Sequence, residues 1–258
     1  WTLGTGVVAS VLLLPAGALR ILGAQPWGIV RADAWLAAVA WPPAVAAGLS
    51  IVAGGGALWL AGGIPHRAES PGTDRERALP ALAGLLVLAG PLLVGHSQTV
   101  EPRWLILVAD LGHLLAAACW FGGLWGLLGE LAQVRRLPGP QRDAATPGLS
   151  RTVTRFSGLA LAAVGLLAAS GLVMATLTLG SVEALTGTGY GRTLLLKLGI
   201  VGPVVAIAGW NRFALLPRIL RQPVQGQWDA LARTLRNEAA LVIAVLAVTG
   251  VLTNLPLE

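Results

Sequence analysis

The chain has 258 residues, 55% of them hydrophobic and 12% charged, and its mean hydropathy is +0.73, a composition that excludes an ordinary soluble domain. The formal charge of +6 comes from seventeen arginines and one lysine against twelve acids. In so apolar a chain this excess records membrane topology, and no nucleic-acid partner is expected.

A bilayer core of about 30 Å needs about 20 mostly apolar residues per helix. Such segments fall at 5–22, 34–62, 80–97, 103–131, 152–180, 191–215 and 234–255. They predict an all-α fold: one polytopic transmembrane helix bundle over residues 1–258 with seven spans, or eight if a further helix precedes Trp1. Trp35 and Trp41, ahead of Pro42-Pro43, give the second segment an interfacial start.

The connections alternate in charge. "PHRAESPGTDRER" after the second segment, "RRLPGPQRDAATPGLSR" after the fourth and "RILRQPVQGQWDALAR" before the seventh hold the arginines and are rich in turn formers. They read as cytoplasmic loops. "GAQPWGIVRAD", "QTVEP" and "GSVEALTGTGY" hold few arginines and read as outer connections, which puts both ends of the chain outside.

Ionisable groups inside spans are costly unless they face the bundle interior, so each one is a functional candidate. His96 closes the third segment at the outer face. His113 lies about 15 Å into the fourth at 1.5 Å per residue. Asp110, three residues before His113, shares its helix face and can orient the imidazole or share a cation. Lys197 in the sixth segment comes to a similar depth, and its plain structural reading is an ion pair with Asp110.

Two imidazoles on neighbouring antiparallel helices suit copper, zinc or haem iron. Met174, the one methionine, adds a soft thioether near the outer end of the fifth segment or simply fills a gap. Trp120 and Trp125 flank "FGGL" as packing or gating bulk, and the glycines there read as helix-contact residues. His66 reads as solvated among charges. Ser97, Ser157 and Ser170 have no evident base partner, and neither a P-loop nor a GxSxG pattern occurs, so no enzymatic activity is expected. The single cysteine, Cys119, excludes an intrachain disulfide and any CxxC site.

"GHS" at 95–97, "HLLAAACWFGGLWGL" from His113, "RFSGLALAAVGLLAASGLV" from Arg155, "YGRTLLLKL" from Tyr190, "NRFALLPRIL" from Asn211 and "RNEAALVIAVLAVTGVLTNLP" from Arg236 together resemble the bacterial copper resistance D family (CopD/PcoD) over about residues 80–256. The resemblance implies an eight-helix inner-membrane protein that passes copper across the membrane, supplied by a periplasmic CopC-like carrier. On the matching positions it makes His96 and His113 outer copper ligands, Asp110 and Lys197 supporting or gating groups, and Asn211 and Arg212 neighbours of the cytoplasmic exit. The first two helices match less well, and one methionine is sparse for a copper route.

Two other readings stand beside copper transport. Paired membrane histidines also hold haem in b-type cytochromes, which would make the chain a redox or assembly protein. A structural accessory subunit of a larger membrane complex would use the same polar groups only to pack helices against one another and against lipid.

Overall fold

The computed structural model describes residues 100–221 and 225–252. The segments expected at 5–22, 34–62 and 80–97, with His66, His96 and Ser97, lie outside the described residues. The chain divides into two compact units, Trp1–Leu107 and Val108–Glu258, and the second carries almost everything that follows.

The described residues are helical, with four helices long and apolar enough to cross a membrane. Helix α1 is Arg103–Arg136 and α2 is Gly139–Leu179. Helix α3 runs Gly189–Arg221 and contains a π-helical segment, Asn211–Leu215. Helix α4 is Gln225–Leu252. Short connections at residues 137–138 and 222–224 make α1 and α2, and α3 and α4, antiparallel neighbours.

Two of the expected loops are largely helix. Residues 139–151, read as a loop because of their prolines and glycines, form the first turns of α2. Proline is tolerated in a first turn because its missing N–H has no helical partner there, which accommodates Pro140. The hydroxyls of Thr146, Ser150 and Thr154 each bond the carbonyl four residues back. Residues 218–221 and 225–233 likewise extend α3 and begin α4. Trp228, Leu231, Ala232 and Leu235 are buried at helical spacing, and that stripe outweighs Gly226.

At 41 residues, α2 is about 60 Å long, twice a hydrocarbon core. Its polar, arginine-bearing first part therefore lies beyond the membrane, and its apolar remainder crosses it. The other end of α2 stops at Gly180, whose φ of 68° is left-handed and whose N–H returns to the Thr176 carbonyl.

Among the described residues, buried side chains pack in two clusters. One joins Leu124, Leu127 and Leu131 of α1, Leu149 and Val153 of α2, Leu215, Leu216 and Ile219 of α3, and the buried stripe of α4. This cluster lies toward the arginine-bearing end, where Arg135 of α1 also pairs with Asp229 of α4. The second joins Ala116 and Trp120, Ala160 and Ala163, and Val204. Between and around them, Leu159, Leu166, Leu172, Leu196, Phe213 and Ile243 point outward, exposed. A bundle that shows leucine and phenylalanine outward along its spans is built for lipid.

Gly123 of α1 makes room for the Phe156 ring of α2. A Cβ built there would sit 2.6 Å from Cε2 of Phe156, whereas one on Gly122 would meet nothing within 4 Å. The packing reading of "FGGL" thus holds for the second glycine.

Candidate functional site

Among the described residues, two polar centres occupy the bundle. The first contains His113, whose Nδ1 lies 2.9 Å from Oγ of Ser170 on α2. Ser170 is itself buried and donates to the Leu166 carbonyl at 2.6 Å. Gly171 leaves room for the ring: a Cβ there would lie 3.4 Å from His113 Cε1. Lys197 of α3 is within electrostatic range of both His113 and Asp110. Met174 lies one turn beyond Ser170 and is half-buried.

An imidazole held through one nitrogen by a fixed neighbour is oriented for whatever its other nitrogen meets. Ser170, which has no partner legible in the sequence, is that neighbour. Among the described residues, no three His, Cys, Asp or Glu side chains gather as a metal site would require. His96, expected to complete such a site, lies outside them.

The lip of this end is built by "TGTGYGR". The Thr188 hydroxyl accepts from Gly191 N–H at 3.0 Å and donates to the Ala184 carbonyl at 2.8 Å. A side chain on Gly191 would run into the backbone of Ala184 and Leu185. Arg192 donates to the carbonyls of Thr186 and Gly187, clamping the helical turn Ala184–Gly187 against the start of α3.

The second centre sits two helical turns further along α1, about 10 Å from His113. Trp120 Nε1 donates to Oε1 of Glu238 at 3.0 Å, and Asn211 Nδ2 donates to Oε2 at 3.3 Å. Glu238 is 2% exposed and Asn211 8%. Beside them Arg212 donates to the Ser157 hydroxyl at 2.9 Å. One side chain from each of α1, α2 and α4, and two from α3, meet here.

Local sequence explains how α3 delivers two. Pro217 lacks an N–H and its ring would press on the carbonyl of Phe213, four residues back. The helix widens just before it, with the Leu216 N–H reaching five residues back to Asn211, and such π turns recur at functional sites. Trp120, Asn211 and Arg212 were legible as candidates. Glu238 was not singled out, although a lone acid inside the apolar run "RNEAALVIAVLAV" was the available signal. Ser157, also without an evident partner in sequence, is supplied one by Arg212.

Fold and site together define a multi-pass membrane protein of helical-bundle type with charged and polar side chains in its interior. Residues 150–252 match the family model of copper resistance protein D, CopD. The chain is 34% identical over 66% of its length to copper transport protein CutJ of Bacillus subtilis, 31% identical over 67% to copper resistance protein D of Pseudomonas syringae pv. tomato, and 35% identical over 70% to inner membrane protein YebZ of Escherichia coli. It spans 29%, 56% and 61% of the lengths of those relatives, respectively. No solved structure matches it. The chain is thus similar to the CopD family, by the family model over residues 150–252 and by its relatives over about two thirds of its own length.

Proposed function

We propose that the chain handles copper at the bacterial inner membrane, taking the ion at the outer face and passing it inward through the helix bundle without nucleotide hydrolysis. Similarity to the CopD family supports copper as the cargo, since two of the relatives carry copper transport or copper resistance in their names. The observation that carries the site is His113, fixed by Ser170 inside the bundle. His96 is its proposed co-ligand, with Met174 as a further soft donor and Asp110 and Lys197 as the charges that gate it. A CopC-like periplasmic carrier is the proposed source of the ion.

Orientation follows from charge. Arg135, Arg136, Arg142, Arg151, Arg218, Arg221 and Arg233 cluster around the junctions of α1 with α2 and of α3 with α4, and the positive-inside rule assigns that end to the cytoplasm. The His113 end is then outer, and Trp120, Asn211 and Arg212 lie on the inward path.

Copper uptake into sealed proteoliposomes tests the reading. Entry of copper without ATP, abolished in His113→Ala while the protein remains folded, supports it. Vesicles no more permeable to copper than protein-free controls would overturn the transport claim.

A further inference from the structure

A cavity of about 140 Å³ lies among α1, α2, α3 and α4 at the level of Glu238. Most of its wall is apolar, and its polar side chains are Ser157, Asn211, Arg212 and Glu238. Two buried atoms on these residues, Asn211 Oδ1 and Arg212 Nε, have no protein partner. Buried polar atoms are seldom left unbonded, and a water molecule in the polar corner of this cavity has Asn211 Oδ1 and Arg212 Nε to bond.

We propose that Glu238 is a proton-binding site that exchanges with water in this cavity, with Asn211 serving both of its protonation states. The chemistry of the two neighbours carries the argument. An ionised carboxylate only accepts, and here it takes one N–H from Trp120 and one from Asn211. A protonated carboxyl also has an O–H to donate. Indole cannot receive it, because its nitrogen is donor only. Asn211 can: a half-turn of its amide brings the unpartnered oxygen to where Nδ2 now stands. The proton therefore belongs on Oε2, the oxygen facing Asn211.

In uptake, a hydronium ion in the cavity transfers its proton to Oε2, forming the O–H bond and leaving a water molecule. Release reverses the step. Arg212 is the other charged side chain on the wall, held by Ser157 and permanently charged. With Arg212 charged, protonation of Glu238 raises the net charge of this polar corner by one, and release lowers it again. This role does not depend on which metal the protein carries.

Infrared difference spectroscopy on the full chain in lipid, with glutamate carboxyls labelled with ¹³C, tests the assignment as pH is stepped. A protonated-carboxyl stretch that appears on acidification, shifts with the label and is missing from Glu238→Gln is the expected result. Should that variant fail to fold, dicyclohexylcarbodiimide, which attacks protonated carboxyls in apolar surroundings, is applied to the wild type and mapped by mass spectrometry. Modification of Glu238 is expected to fall roughly tenfold per pH unit above its titration midpoint. A carboxyl band at Glu238 that is absent at every pH, or present and unchanged at every pH, overturns the proposal, as does pH-independent labelling of Glu238.

Discussion

Glu238 meets two hydrogen-bond donors from two other helices, and its burial makes each of them matter. A buried polar group that loses a fixed partner loses a bond that was already in place, and a mobile water is a poorer substitute. Trp120→Phe keeps an aromatic ring beside Ala160, Ala163 and Val204 but removes the N–H that Oε1 accepts together with part of the indole's volume. It is expected to destabilise the protein by about 1–2 kcal/mol, seen as an earlier thermal unfolding in detergent. Retention of wild-type stability would mean that the indole is bulk alone. At the first centre the equivalent dependence runs through Ser170, whose hydroxyl fixes His113. Neither Ser170 nor Ser157 announces itself in sequence, because a serine in an apolar helix ordinarily bonds its own backbone four residues back; Ser170 does this as well.

At the scale of the helices, glycine and proline carry the structure in ways their one-letter codes do not disclose. Gly123 admits the Phe156 ring and Gly122 admits nothing. Gly123→Ala is therefore expected to destabilise by about 1–3 kcal/mol through overpacking, whereas Gly122→Ala is expected to be neutral or to stabilise by up to about 1 kcal/mol through helix propensity. Chemical or thermal unfolding of the two variants side by side reads the contrast, and equal effects would contradict the proposed helix contact. The same ambiguity explains which elements were legible. The apolar cores of α1 to α4 were readable from hydropathy alone. Their watery extensions were not, since Pro140, Pro147 and Gly226 argue for loops locally, while the helical spacing of Leu149, Val153, Trp228, Leu231 and Leu235 prevails through packing. The π segment before Pro217 was readable only as a proline within a helix.

Over the whole bundle, the arginine-bearing end is held mainly by its apolar cluster. Arg135 and Asp229 are each about one third exposed, so a double-mutant cycle on them is expected to give a coupling of about 0–1 kcal/mol; a coupling of several kcal/mol would mean that the pair locks α1 to α4. The motifs that carry the family resemblance acquire a shared purpose in three dimensions. Trp120, Ser157, Asn211, Arg212 and Glu238 come from four separate stretches of sequence and meet in one polar centre. Spacing along the chain cannot reveal that convergence, since it depends on how antiparallel helices register. The outer centre was more readable, because histidine and lysine are conspicuous in apolar sequence, yet its proposed second ligand, His96, belongs to the other compact unit. The central claim is that this bundle binds copper through histidine. Metal analysis with an absorption spectrum on detergent-purified protein, wild type beside a His96→Ala/His113→Ala double variant, tests it most directly. Copper bound by the wild type and lost from a folded double variant is the predicted result; a Soret band, or equal copper in both proteins, would contradict it.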